Sequence, residues 1–240
     1  MTPLLEYADN EADRPNAMET EIVTEADSET ETKRLGIVGA GKLGLTLARA
    51  ALAAGYEVAV SGSGSADRIA LQVDVLAPGA NPTTTNDVAA FADTIVLALP
   101  MHRFRELPTD LFNGKVLIDA MNYWPEIDGD DPTLAEARDG TSSVVQDHFP
   151  GARVVKSLNQ LGYHELDELP REPDSSDRIA IATAGDDRLA VRAVMRLIDR
   201  LGFDAVDAGP LANGRLLEAD GSPYATTYTA PELKRRLAAP

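Results

Sequence analysis

The stretch Leu35-Gly36-Ile37-Val38-Gly39-Ala40-Gly41-Lys42-Leu43-Gly44 constrains this chain more than any other. A short apolar run, Leu35 to Val38, suits a buried parallel strand. Gly39-x-Gly41-x-x-Gly44 follows it directly, and a mostly apolar helical run carrying Leu45, Leu47, Ala48, Ala51 and Leu52 leads to Gly55. A second strand, Glu57-Val58-Ala59-Val60-Ser61, begins within thirty residues of the first. Strand, glycine turn, helix and strand are the context in which this glycine spacing marks a dinucleotide site. The first glycine permits the tight turn, the second lets backbone approach a pyrophosphate, and the third lets helix pack on strand. Free N–H groups at the helix start and the helix dipole favour phosphate there. The competing reading is a tight strand–helix turn that binds nothing.

From Lys33 onward strands and helices alternate. Further strands are expected at 83–85, 93–100, 115–120, 152–158, 178–183 and 203–207. Helices are expected at 64–73, from Asn86 or Thr85 (as cap) to Phe91, at 103–112 with an interruption near Pro108, and at 142–149, 164–169, 186–201 and 231–237. Residues 123–133 read as a loop rich in Asp, Gly and Pro. In the 186–201 helix, Leu189, Val191, Val194, Leu197, Ile198 and Leu201 recur at near-helical spacing. Thr229 is the expected cap of the last helix, with Pro231 near its first position. Such alternation predicts an α/β fold: a doubly wound, Rossmann-type, mostly parallel sheet with helices on both faces. The expected division is an acidic, disordered tail over 1–32, a dinucleotide-binding domain over 33–210 and a short C-terminal segment over 211–240.

Charge and composition exclude several classes of function. The 240 residues carry a net charge of −17, and residues 1–31 alone hold ten acids against Arg14. That segment has too little apolar surface to offset its ordering entropy. A chain this acidic repels nucleic-acid phosphates, so no nucleic-acid partner is expected. There is no cysteine, which excludes disulfides and thiolate chemistry. The three histidines, His102, His148 and His164, show no metal-ligand spacing. No apolar run approaches the roughly 20 residues of a membrane helix, and the first residues lack a signal-peptide pattern. A cytoplasmic protein with no membrane partner is expected.

The end of the second strand bears on which dinucleotide fits. An NAD site normally places a carboxylate there, to accept from the ribose 2′-OH. Here the strand runs into Ser61-Gly62-Ser63-Gly64-Ser65, with no acid before Asp67. Small hydroxyls and free N–H groups suit a 2′-phosphate, with Arg68 the nearest cation and Lys42 also facing the site, so NADP is expected rather than NAD. Ala98-Leu99-Pro100-Met101-His102 ends the fourth strand, near the nicotinamide half of such a ligand, and His102 is either a proton donor or an exposed loop residue. Asp119-Ala120-Met121-Asn122-Tyr123 and Lys156-Ser157-Leu158-Asn159 end the next two strands. There Asn122 is placed to bond a ribose or second ligand, and Met121 to pack on a ring.

Taken together, Gly36 to Gly44, Asp119 to Tyr123, Val154 to Asn159, Ala184-Gly185-Asp186-Asp187 and Phe203 to Leu211 resemble the coenzyme F420-dependent NADP oxidoreductases over about residues 34–224. The resemblance implies NADPH binding and hydride exchange with a deazaflavin. It would place Gly39, Ala40, Gly41, Lys42 and Leu43 on the pyrophosphate and Ser61 and Ser63, with Arg68 nearby, at the adenosine ribose end. Leu99, Pro100 and Met101 would lie by the nicotinamide ribose, and Asn122, Asn159 and the Gly209-Pro210-Leu211 turn would border the redox pocket. Many relatives carry an arginine directly after the serine aligned with Ser63, where this chain has Gly64. The chain after Glu218 is also shorter than the helical C-terminus of the characterised deazaflavin reductases.

The leading expectation is therefore an oxidoreductase passing hydride between NADP(H) and a deazaflavin (F420) or related flavin-type acceptor. No protein acid or base is required, because the cofactors carry the chemistry. One alternative is an NAD(P)-dependent reductase or dehydrogenase of a small organic substrate, with His102 or Lys156 as its acid/base group. Another is a non-catalytic dinucleotide-binding sensor. A second copy of the chain, as a homodimer, is the expected protein partner, since the C-terminal segment alone is too small to cover the pocket.

Overall fold

The structure is a computed structural model that describes residues 33–221 and 223–238. The acidic tail expected over 1–32 lies outside the described residues. The strands are β1 (Arg34–Val38), β2 (Glu57–Ser61), β3 (Asn81–Thr83), β4 (Thr94–Leu97), β5 (Val116–Asp119), β6 (Arg153–Lys156), β7 (Ala180–Gly185) and β8 (Asp204–Asp207). The helices are α1 (Lys42–Ala53), α2 (Asp67–Leu76), α3 (Thr85–Phe91), α4 (Pro125–Asp128), α5 (Pro132–Ala135), α6 (Thr141–His148), α7 (Tyr163–Glu168), α8 (Arg188–Arg200) and α9 (Ala230–Leu237). Two 3₁₀ segments, Met101–Glu106 and Leu211–Leu217, complete the described elements.

The strands join one sheet in the order β3-β2-β1-β4-β5-β6-β7-β8. From β3 to β6 every pairing is parallel, with Leu35 of β1 level with Val58 of β2 and Thr94 of β4. Near-continuous apolar strands such as Thr94-Ile95-Val96-Leu97 follow from burial on both faces. One face packs α1, α2 and α8 in a core with Ile37, Leu45, Leu47, Val60, Val194 and Ile198; the other buries Ile95, Leu97, Phe104, Phe112 and Phe149. Chain order reverses between β1 and β4, so their following loops part and leave a crevice at the carboxyl edge.

Several local expectations are corrected. The third strand is Asn81–Thr83, not 83–85, because β3 pairs with β2 alone and an edge position tolerates Pro82. Thr84 then caps α3, its hydroxyl accepting from the Asp87 N–H at 3.3 Å. The helix expected over 103–112 is only the 3₁₀ segment and a following turn, since Pro108 stops any continuation. The stretch expected as a 123–133 loop holds the short helix α4 and the start of α5, each begun by a proline. Leu189, counted in the apolar stripe of its helix, is 69% exposed. It lies between the Asp187 cap and Ala190, whose N–H the cap binds. Thr229 caps α9 in a reciprocal box with Glu232, as expected.

The largest departure from a uniform parallel sheet is β7, which pairs antiparallel with β6 through Val155–Gly185 and Lys156–Ala184. The pairing is only two residues long, and a side chain extends it. The Gln160 amide donates to the Ala182 carbonyl and accepts from its N–H, both at 2.9 Å, as another strand would.

Candidate functional site

Three strand ends meet at the crevice. Gly39 follows β1, Gly62 to Gly64 follow β2 and Ala98 to Pro100 follow β4, and together they line a cleft of about 450 Å³. The Gly39 N–H donates to the Ser61 carbonyl and the Ala98 N–H to the Val38 carbonyl, each at 2.8 Å, so the three loops are tied edge to edge. Gly39 has φ +129°, and a side chain there would meet the Ala98 carbonyl oxygen at 2.0 Å. A Cβ at Gly44 would lie 1.8 Å from the Gly39 carbonyl oxygen, which is how α1 comes to seat on the turn. Both glycines serve the fold.

Gly41 is different. Its φ and ψ, −81° and −173°, are open to any residue, and a Cβ there would have no atom within 4 Å. It caps α1 with no side-chain hydrogen bond, so the first N–H groups of that helix face the cleft without a protein partner from the cap. Gln72, from α2, holds the turn by donating to the Ala40 carbonyl at 3.1 Å.

The other residues singled out in the sequence are distributed unevenly. Ala40, Ser63, Leu99 and Pro100 line the cleft with the glycines. Ser61 does not: it is fully buried and its Oγ accepts from Thr85 at 3.1 Å, so its hydroxyl serves the β2–α3 contact rather than a ribose. Lys42 and Leu43 lie off the lining. Lys42 Nζ turns to the Tyr163 hydroxyl at 3.3 Å and lies 5.2 Å from that ring, joining α1 to α7. Met101 is wholly buried with Phe104 and Leu97, so its side chain packs in the core and not on a ligand; Met121, 2% exposed, does the same. Arg68 sits behind the cleft wall, its Nη1 3.2 Å from where a Cβ on Gly64 would be.

Asn122 and Asn159 meet beyond β5 and β6, apart from the cleft lining. The Asn159 amide donates to Asn122 Oδ1 at 3.0 Å and to the Leu217 carbonyl at 2.7 Å, and Asn122 donates to the Asn159 carbonyl at 3.1 Å. Asn159 is 3% exposed and its Oδ1 has no partner. Buried acceptors of this kind are rarely left without a donor. The Gly209-Pro210-Leu211 turn is not brought to this place. Because β7 and β8 run against β6, the turn after β8 heads away from the carboxyl edge and lines a separate cleft with Arg188 and Arg192.

Lys156, the other candidate acid/base group, lies off the cleft lining. It is fully buried, donating to the Met121 carbonyl at 2.6 Å and to Asp119 Oδ2 at 3.4 Å, while Ser142 donates to the same oxygen at 2.6 Å. His102 remains accessible on one side. Its Nδ1 lies 2.9 Å from Asp128, whose 1%-exposed carboxylate also accepts from the backbone N–H groups of His102 and Trp124. Reading the sequence as helix from 103 overlooked Arg103, Glu106 and Leu107, which line the cleft together with Thr85 and Gln72. The available signal was their place directly after the Leu99-Pro100 strand end. Arg103 Nη2 donates to Glu106 at 2.7 Å. That hydrogen bond holds Glu106 below the usual carboxylate range and raises Arg103 above its own.

Residues 34–123 match the model of the family described as NADP oxidoreductase, coenzyme F420-dependent. The match spans less than half of the chain. No curated protein matches the chain. Among solved structures, a hypothetical protein, SMa0349, from Sinorhizobium meliloti is 26% identical, with a TM-score of 0.72 over 84% of this chain and 97% of its own. A protein from Arthrobacter sp. FB24, named as a candidate F420-dependent NADP-reductase, is 26% identical, with a TM-score of 0.64 over 75% of this chain and 86% of its own. An imine reductase from Bacillus cereus, 22% identical with a TM-score of 0.54 over 77% of this chain and 57% of its own, shares the fold. The family match covers β1 to the loop after β5, which contains the whole cleft. Residues 34–123 are thus similar to NADP oxidoreductases, and the resemblance read from Gly36 to Gly44 and beyond is to the same family.

Proposed function

We propose that the cleft binds NADP(H) and that the protein is a reductase passing hydride to a deazaflavin or related flavin-type acceptor. The observation that carries this reading is Gly41: neither its backbone angles nor its neighbours require glycine, so what needs the space is a ligand against the first turn of α1. Ala40 and Gly41 would hold the pyrophosphate by backbone N–H groups on the turn that Gly39 shapes, Gly62, Ser63 and Gly64 the adenosine ribose, and Leu99 and Pro100 the middle of the ligand. The residues fit the group, since the lining combines glycine-rich backbone and small hydroxyls with apolar side chains such as Ile69 and Leu99 and one ion pair. A bound nicotinamide supplies the hydride. The chain's own part is to fix orientation: Gln72 and the Gly39–Ser61 hydrogen bond hold the cradle.

A second reading, reduction of a small organic imine or carbonyl, is favoured by one observation, the His102–Asp128 pair at the end of β4. The two separate on acceptor and on His102. The test is loss of the reduced-nicotinamide absorbance with the full chain, NADPH and either oxidised deazaflavin or a cyclic imine. Turnover with deazaflavin, with His102→Asn within about threefold of wild type, supports the first reading. Turnover with the imine alone, falling about 100-fold or more in His102→Asn, would replace it with the second. Binding without turnover would move the assignment to a dinucleotide sensor.

A further inference from the structure

Among the described residues lining the cleft, Arg103 is the one cation and Glu106 the one carboxylate. They form a pair three residues apart on the 3₁₀ segment after β4. Arg103 Nε lies 3.3 and 3.1 Å from the two Glu106 oxygens and Nη2 lies 2.7 Å from Oε2. Nη1 is left over, and the Arg103 side chain is 39% exposed. The same cleft is lined by Gly62-Ser63-Gly64, where a dinucleotide's adenosine ribose rests if the Gly39–Gly41 turn holds its pyrophosphate. That wall has no acid to accept from a 2′-OH: Ser61 is committed to Thr85, and Glu106 is committed to Arg103.

We propose that Arg103 is a specificity-determining residue for the 2′-phosphate of NADP(H), reaching it from the β4 side of the cleft while Arg68 supports it from behind Gly64. This rests on the reading of the cleft as an NADP site. Two features of the chain converge on it. Gly64 has φ +95° and no side chain, so Arg68, the second residue of α2, lies against it, with Cδ 3.4 Å and Nη1 3.2 Å from the Cβ position, and a second cation stands beside Gly64. Glu106 fixes the Arg103 guanidinium by its Nε–Nη2 edge and directs the remaining N–H groups elsewhere, and a guanidinium with a fixed plane suits bidentate contact with phosphate. A merely solvated surface pair would need no place in the cleft wall.

The test is calorimetric titration of the full chain with NADPH and NADH, repeated with adenosine 2′,5′-bisphosphate and adenosine 5′-monophosphate, which lack the nicotinamide and differ only in the 2′-phosphate. Arg103→Gln is expected to weaken NADPH and the bisphosphate by about tenfold or more, with NADH and the monophosphate changed less than about twofold. Arg103→Lys keeps the charge without the fork and should recover part of the loss. Equal weakening of all four ligands would make Arg103 an adenine or structural contact and overturn the assignment. So would no change in any of them at an unaltered thermal midpoint. A wild-type chain that binds neither dinucleotide would instead sink the reading of the cleft itself, and one that prefers NADH would keep the cleft and overturn the phosphate.

Discussion

At Gly39 a methyl group would sit 2.0 Å from the Ala98 carbonyl oxygen, and at Gly44 one would sit 1.8 Å from that of Gly39. Neither neighbour is a flexible side-chain end, so the sheet edge or α1 has to move. Gly39→Ala or Gly44→Ala is expected to cost about 4 kcal/mol or more, visible as a large drop in denaturation midpoint. Gly41→Ala meets open space in ordinary backbone geometry and is expected within about 0.5 kcal/mol of wild type. A midpoint that fell as far for Gly41→Ala as for Gly39→Ala would remove the distinction between fold glycines and a ligand glycine. The spacing of the three was plain in the sequence, but which of them answers to the fold and which to a ligand was not, because that depends on Ala98, sixty residues away and tied to Val38 by hydrogen bond. Ser61 failed for the same reason: its hydroxyl looked free until Thr85 folded onto it.

The ends of β5 and β6 carry a buried charge pair and a strand junction. Lys156 and Asp119 are both fully buried, so removing one charge strands the other. Lys156→Met is expected to lose about 3–5 kcal/mol, and the double change with Asp119→Asn to recover much of it; a double variant as unstable as the single would refute pairing as the cause. Gln160→Ala removes both amide contacts to Ala182 and should cost about 1–3 kcal/mol, with early hydrogen exchange in β7 and β8 as its local signature. The parallel part of the sheet was legible because Leu35–Val38, Thr94–Leu97 and Val116–Asp119 are apolar runs separated by helical or turn patterns. The antiparallel entry of β7 was not, because strand direction rests on a two-residue pairing completed by a side chain. The same blindness misplaced the Gly209-Pro210-Leu211 turn.

For the whole molecule, a net charge of −17 makes self-repulsion the dominant long-range effect. Raising salt from about 10 mM to about 0.5 M, where the Debye length shrinks from ~30 Å to a few ångströms, should raise the thermal midpoint; a falling midpoint would mean that exposed ion pairs such as Arg49–Asp167 outweigh repulsion. Screened in this way, the chain should still lose stability in acid. Asp87 is held low by its hydrogen bond to Thr84, Asp93 by Lys115, Asp131 by Thr133 and Glu232 by the Thr229 N–H. With folded values below unfolded ones, the unfolded chain binds more protons, so this stability is full above the unfolded values near ~4 and drains away as pH falls through the folded ones. A high-salt midpoint that rose on acidification from about pH 5 to about pH 3 would contradict it. Calorimetric titration of the full chain with NADPH, beside Gly41→Asp, decides whether the glycine cleft is a dinucleotide site. Wild type is expected to show saturable one-site binding, and Gly41→Asp a loss of about 100-fold or more, since it sets a carboxylate against the pyrophosphate while the fold keeps its thermal midpoint. Equal affinity in the two proteins would show that NADPH binds elsewhere, and no binding by wild type would show that the glycine cleft is not a dinucleotide site.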